Sequence, residues 1–495
     1  MTDTPAPGAR AAARAVVLPL ALAQFIASYA ATNMNVAISA IATDLGTTVA
    51  GVQTAITLFT LTMAALMIPG SKLTDIWGRK RCFMLGLIVY GSGALIASAA
   101  GGLPVLIAGY SILEGVGSAL MIPPIYIVIT LVFTDVPSRA KAFGTVSAAA
   151  GVGAAAGPLI GGLITSTIGW RGSFIAQVII VLVILAIAHR IIAPGVSGAK
   201  PAFDLVGALL SATGLILVVL GILQSGTYGW FVARQDFTLG NTVVIHEGGI
   251  SPVWLLVVPG ALVLAMFFLH VGARERSGRE PLISLSLFHN RVSNLGLATQ
   301  NVQWLVLQGS FFVVSVFLQQ VRGYSAISTG LVLTPATVGI LASSALSGRM
   351  ARKRSQKSVI VFGFTVTITG MALLLLLARA ESNILLFVPG LLTMGIGIGA
   401  MLTSSVNVVQ SSFPEDEQGE ISGLSRCLSN LGSSLGTAIA GSVLVSTLVE
   451  DNAHFVLALS TLGVFAMLGL GAALLLPGNG GKAAPHPTRH SVAST

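Results

Sequence analysis

Fourteen apolar runs constrain what this chain can fold into. They fall at about 16–41, 52–69, 82–100, 105–132, 143–168, 172–192, 205–223, 253–271, 295–320, 327–347, 359–378, 384–410, 423–448 and 455–476. Each is about long enough to cross a ~30 Å hydrocarbon layer as a helix rising ~1.5 Å per residue. Inside lipid every backbone N–H and C=O must find a partner within the protein, which makes such runs helical. The expectation is an all-α integral membrane protein with fourteen transmembrane helices. Composition agrees: 54% of the 495 residues are hydrophobic and 9% are charged, where a water-soluble domain carries nearer a quarter charged.

An even number of spans puts both termini on one side. With that side in the cytoplasm, all Lys and Arg except Arg171, Arg234, Arg322 and Arg379 lie on it, as the positive-inside rule requires. The net charge of +9 therefore serves topology and contact with anionic inner-leaflet lipid, and nucleic acid is not an expected partner. Met1–Arg14 is polar, and the first apolar run is too long for the core of a cleavable signal, so none is expected. Cys82 and Cys427 suffice for neither a disulfide framework nor a metal cluster. No phosphate loop or nucleophile–base pair stands out, so the chain is read as a non-enzyme with no cofactor and no metal.

The chain also repeats itself. Gly144, Gly153 and Gly157 recur as Gly423, Gly432 and Gly436, each 279 residues later; Gly70 recurs as Gly348, and Gly115 and Gly117 as Gly395 and Gly397, at shifts of 278 and 280. A near-constant shift predicts two pseudo-symmetric six-helix halves, with two further helices inserted between them. The boundaries read as a cytoplasmic tail 1–15, an N-terminal bundle 16–192, an inserted pair with flanking loops 193–293, a C-terminal bundle 294–476 and a disordered tail 477–495. Paired halves with a site at their interface are a common plan for secondary transporters.

Two stretches carry motifs. The connector 70–81 reads Gly70-Ser-Lys-Leu-Thr-Asp75-Ile-Trp-Gly78-Arg79-Lys80-Arg81, and the fifth run reads Gly144-x8-Gly153-x3-Gly157-Pro158-Leu-Ile-Gly161-Gly162. Read alone, the first is a positive-inside loop. The second is a helix face of small residues that lets another backbone approach closely, with a bend at Pro158. Together they resemble the major facilitator superfamily: the first its loop between spans two and three, with one extra residue between Gly70 and Leu73, and the second the motif that marks its antiporters. Asn35-Val36-Ala37-Ile38, Phe203-Asp204-x-x-Gly207, Glu280-Pro281 and Gln320-x-x-Gly323-Tyr324-Ser325 resemble the fourteen-span drug–proton antiporter branch. The resemblance implies that Gly70, Asp75, Gly78, Arg79 and Lys80 form a gating loop, with Asp75 facing the start of the thirteenth span near Gly423. A solvated loop acid is the plainer reading of Asp75.

The sequence also departs from that branch. Ala30 stands where its first span carries an aspartate, and Ser111-Ile-Leu-Glu114-Gly115 stands where its fourth span carries R-V-x-Q-G. Glu114 is the one acid well inside a span, ten residues past Pro104, or ~15 Å deep. A carboxyl at that depth normally faces a cavity, pairs or stays protonated, and marks function by default. It is the candidate for proton coupling; the alternative is a neutral, hydrogen-bonded acid that ties helices together. Asn33, Asn35, Gln303, Trp304, Gln308 and Asn407 are the polar or amphipathic residues inside spans that suggest a substrate cavity, although for any one of them an interhelical hydrogen bond is the plainer reading.

These readings predict a monomeric secondary transporter of the cell membrane that exports small amphipathic compounds, drugs or antibiotics, in exchange for protons by alternating access. The resemblance thus implies multidrug efflux and antibiotic resistance, with small-molecule substrate, protons and the lipid bilayer as partners. The alternatives are a proton-linked uptake symporter, an exporter of one endogenous metabolite or lipid, and a non-transporting membrane sensor.

Overall fold

The structure, a computed structural model, describes residues 7–133, 136–189, 202–239, 242–379, 381–414, 417–445 and 452–478. Of the two tails, 1–15 and 477–495, this covers only 7–15, which begin the first helix, and Pro477 with Gly478. Among the described residues sixteen α-helices follow one another. The first group comprises α1 (Pro7–Asn33), α2 (Ile38–Asp44), α3 (Val49–Trp77), α4 (Arg79–Ser98), α5 (Leu103–Leu106), α6 (Gly115–Val132), α7 (Val136–Ile168) and α8 (Trp170–Ala188). Then come α9 (Leu205–Tyr228) and α10 (Trp254–Arg276). The last group comprises α11 (Arg291–Val316), α12 (Ala326–Lys353), α13 (Gln356–Leu377), α14 (Phe387–Gln410), α15 (Gln418–Val445) and α16 (Asn452–Leu474). π-helical turns at Ile107–Glu114 and Phe317–Val321 interrupt the regular winding.

Thirteen helices among the described residues are long and apolar enough to cross a membrane. α15 falls outside that set although it has 28 residues. Its sequence is rich in Ser and Gly and carries Glu420 and Arg426, yet it is buried along most of its length, with Ser425, Ser429, Ser433, Ser434, Thr437 and Ser442 all inside. A helix wrapped by other helices has no need of an apolar surface.

Two large apolar clusters hold the bundle, one drawn mainly from α1–α8 and the other mainly from α11–α16. Within the first group α1 packs on α7, and α4 on α6 and α8; within the second α11 packs on α15, and α13 on α14 and α16. The two groups meet along α7 against α12 and α3 against α15. Burial separates central from peripheral helices: 83% of the apolar stretch of α11 is buried, against 17% for α10. The inserted pair therefore lies at the rim, with α9 leaning on α3 and α15.

Three details differ from the sequence reading. The first apolar run is not one helix: it breaks after Asn33 into a 3-10 turn, Met34–Val36, before α2. The connector 70–81 is almost wholly helical, because α3 continues through Trp77 and α4 begins at Arg79. Gly78 alone turns the chain, at φ +95°, a conformation that costs glycine nothing and other residues a great deal. Finally, the segment between α9 and α10 contains a small antiparallel pair, β1 (Phe237–Leu239) and β2 (Thr242–Ile245).

The inserted pair is fastened by Asp204. It caps α9 by accepting from the Gly207 amide at 3.0 Å, meets His270 Nε2 at 3.0 Å and Arg274 Nε at 3.5 Å, and accepts from the Leu282 amide at 3.2 Å. Burial pushes this carboxyl up, but the Gly207 amide, His270 and Arg274 outweigh it and hold it below the usual carboxylate range. An Asp at the helix N-cap, with the Arg274 guanidinium and the His270 imidazole on a neighbouring helix, explains why Phe203-Asp204-x-x-Gly207 opens α9.

Candidate functional site

Glu114 ends the first π-helical turn and is fully buried. π turns frequently mark functional positions, since the extra residue re-aims a side chain. Neither carboxyl oxygen makes a hydrogen bond within ordinary geometry. The Tyr90 hydroxyl neighbours the carboxyl, yet its single proton goes to Gln177 Oε1. The two positions where related motifs place ionisable groups are filled by packing instead. Ala30 is buried, with its carbonyl receiving the Tyr110 hydroxyl at 3.0 Å, and Ser111 donates to the Ala55 carbonyl at 2.7 Å. Aromatic rings close the surroundings: Tyr110 stacks on Phe59 at 4.6 Å and meets Phe174 edge-on at 5.8 Å.

The glycine motif runs along α7 and faces two different helices. A Cβ at Gly153 would collide with the Phe25 carbonyl oxygen, one at Gly157 with the Thr32 hydroxyl, and one at Gly161 would lie 3.0 Å from Asn33 Cβ, all on α1. At Gly162 the neighbour is the Ala326 carbonyl oxygen of α12, at 2.6 Å, and the Pro158 carbonyl faces Gly330 of α12. Gly144 meets nothing within 4 Å. Two adjacent faces, one carrying Gly153, Gly157 and Gly161 and the other Pro158 and Gly162, therefore seat α7 on α1 and on the second group of helices. α15 does the corresponding work 279 residues later: Gly432 and Gly436 press on the Asn301 and Leu305 carbonyls of α11, and Gly441, which matches Gly162, presses on Gln53 of α3.

Asp75 lies on the last turn of α3, half-buried, at a cavity of about 400 Å³. Arg79, Tyr126 and Arg139 line it from the first group, and Gln410, Gln418, Gly419 and Ser422 from the second. The first turn of α15, which carries Glu420, thus stands across from Asp75. Bonds between the groups surround the cavity: Ser71 Oγ donates to the Gly419 carbonyl at 3.3 Å, Lys72 meets Glu420 at 3.5 Å, and Arg426 donates to the Tyr126 hydroxyl. A Cβ at Gly423 would lie 3.2 Å from Ser71 Cβ, and Gly70 presses on the Ala119 carbonyl. Lys80 reaches the His189 carbonyl at 2.7 Å instead of the cavity. Glu415 and Asp416, at the same end, lie outside the described residues.

No side-chain hydrogen bond joins the six polar candidates to one another among the described residues. Asn33 Nδ2 donates to Ser173 Oγ at 3.2 Å, Gln308 Nε2 to the Ala31 carbonyl at 2.7 Å, and Gln303 Oε1 accepts from Ser405 at 3.0 Å. Asn35 is buried with both side-chain polar atoms unpartnered, Trp304 is half-buried, and Asn407 is exposed. At the end opposite Asp75 the bridge is made by Gln320, read from the sequence only as part of a motif, and by Gln319 and Ser39, which the sequence reading did not single out. From the second π turn, Gln319 Nε2 donates to the Asn35 carbonyl at 2.9 Å while its Oε1 accepts from the Ser39 amide at 3.0 Å, and Gln320 donates to Ser39 Oγ at 2.7 Å. Ser166 accepts from the Ile327 amide at 3.0 Å. Arg171 holds Asp44 here, and its guanidinium bond keeps that carboxyl below its ordinary range. A pair of glutamines closing an apolar run was the available signal.

The sequence profile of the Major Facilitator Superfamily matches residues 20–437. The chain belongs to that superfamily. Among superfamily relatives, a probable actinorhodin transporter of Streptomyces coelicolor is 29% identical over 83% of this chain and 69% of its own length. A puromycin resistance protein of Streptomyces alboniger is 28% identical over 85% of this chain and 80% of its own. The solved structure of a D-xylose–proton symporter superposes with a TM-score of 0.62 over 95% of this chain and 99% of that one, at 14% identity, a likeness of fold alone.

Proposed function

We propose that this superfamily member exports small amphipathic compounds, drugs or antibiotics among them, in exchange for protons. Export is supported by relatives described as an actinorhodin transporter and a puromycin resistance protein. The observation that carries the reading is the glycine motif of α7, which seats that helix on α1 and on α12 at once. A helix that meets both groups at glycine contacts, with Thr32, Thr337 and Ser166 supplying only single hydrogen bonds, can rock with few side-chain contacts to break, which suits alternating access. Glu114 is the proton-coupling group of the proposal, and Asp75 with Gly70, Gly78, Arg79 and Lys80 is its gate at the cytoplasmic end.

In this reading α15 is a fourteenth span. Residues 16–192 and 294–476 form two related bundles, and 193–293 carries the inserted pair. Both termini are cytoplasmic, the Asp75 end faces the cytoplasm, and the Gln319–Gln320 bridge closes the outer end. Reporter fusions at the C-terminus and between α9 and α10 are expected to give opposite sidedness; identical sidedness would overturn the topology. The function itself is tested by expressing the chain in a drug-sensitive host and measuring growth inhibition by cationic, neutral and anionic amphipathic drugs. Raised inhibitory concentrations for a subset, abolished by an uncoupler in accumulation assays, are expected. An unchanged panel would count against drug export.

A further inference from the structure

A buried carboxyl that loses its proton becomes an acceptor only and must draw donors from its neighbours. Around Glu114 these are few. The titratable groups facing it are Tyr90 from α4 and Tyr110 from its own π turn, with Tyr29 of α1 next to Tyr90. Among the described residues no Lys, Arg or His acts on it. α3 presents Phe59 and Thr62 beside Gly115. The Tyr110 and Ser111 hydroxyls are committed to backbone carbonyls of α1 and α3.

Tyr90 is different, because its main partner is a side chain that can let go. It donates to Gln177 Oε1 of α8, with the Ile26 carbonyl 3.4 Å away as a second acceptor. Backbone packing fixes where Tyr90 sits. A Cβ at Gly93, one turn further along α4, would lie 2.7 Å from the Glu114 amide nitrogen, and one at Gly117 would collide with the Tyr90 amide nitrogen. Both ends of the resulting row are unsatisfied, since Gln177 Nε2 and the two Glu114 oxygens lack hydrogen bonds. One hydroxyl proton thus stands between two buried acceptors. Buried polar groups left unpaired are costly, and such a row is poised for exchange of partners.

We propose that Tyr90 and Gln177 are positioning residues for the proton step: Gln177 holds the Tyr90 hydroxyl while Glu114 is protonated, and the hydroxyl turns to the carboxylate once Glu114 ionises. The inference rests on the proton-coupling role given to Glu114 above. The O–H bond of Glu114 breaks and its proton passes to water on the side then open. Tyr90 keeps its own proton and changes only its acceptor. Release of Gln177 loosens α8 from α4. α8 also carries Ser173, which bonds Tyr29 at 2.6 Å and Asn33 at 3.2 Å at the break in α1. The charge state of Glu114 is thereby passed to the helix whose continuation holds the Gln319–Gln320 bridge.

The test is a pH titration of the purified full-length chain in lipid by infrared difference spectroscopy, following the protonated-carboxyl band that Glu114→Gln removes. Tyr90→Phe deletes the donor to the carboxylate and is expected to move the midpoint up by about one pH unit, a tenfold change in proton affinity. Gln177→Leu deletes the competing acceptor and is expected to move it down. The double variant should follow Tyr90→Phe alone. Gln177→Met supplies the same loss of acceptor should the Leu variant fail to fold. Shifts of one sign, additive shifts or no shift would overturn the proposal. A band that survives Glu114→Gln would instead overturn the role of Glu114 itself.

Discussion

Glu114→Gln is expected to abolish pH-gradient-driven efflux from proteoliposomes while leaving folding intact. The substitution keeps size and hydrogen-bonding capacity but removes the exchangeable proton. The carboxyl is fully buried, with both oxygens unpartnered, so a neutral amide in its place creates no new buried charge. Efflux of a compound identified in the growth panel should fall about tenfold or more, equivalent to roughly 1.4 kcal/mol in a limiting barrier. Glu114→Asp should retain part of the rate with a shifted pH optimum, since the carboxyl stays but recedes from Tyr90. Efflux from Glu114→Gln that responds to the gradient as the parent does would remove Glu114 from the proton route.

Gly157→Val is expected to cost nearly all transport, and Gly144→Val little. The two glycines belong to one motif, but only Gly157 is pressed against α1, where a Cβ would collide with the Thr32 hydroxyl and lie 3.0 Å from the Asn33 amide nitrogen. Forcing a branched side chain into such a crossing typically costs ~1–3 kcal/mol and shifts backbones. Here the backbone in question leads into the break at Asn33 and the outer bridge beyond it. At Gly144 nothing lies within 4 Å. The measurement is efflux normalised to membrane-inserted protein. Equal loss in both variants would mean that the motif acts through something other than close helix approach.

How far the sequence led differs from residue to residue. Apolar length gave fourteen runs, of which thirteen are helices long and apolar enough to cross a membrane, and the burial of Glu114 was expected from counting along one helix. The glycine spacing foretold close approach on α7 but not its partners, because α1 and α12 lie more than a hundred residues away in sequence. The same limit hid Gln177 opposite Tyr90 and Gln319 opposite Asn35: periodicity reports which face is buried, not what it meets. The break after Asn33 was hidden inside a long, mostly apolar run, where Asn33 and Asn35 flank it. The connector at Gly70 was read as a loop because it is basic, yet a helix end tolerates Lys and Arg well, and one glycine with positive φ sufficed for the turn.

The central claim, that a proton gradient drives this chain to move amphipathic compounds outward, is tested most directly in everted membrane vesicles, where the cytoplasmic face is exposed. Under an inward-acid gradient the vesicles should accumulate a compound from the panel against its own concentration gradient, and an uncoupler should release it. Accumulation that needs no pH gradient, or accumulation only when the gradient is reversed, would contradict the account.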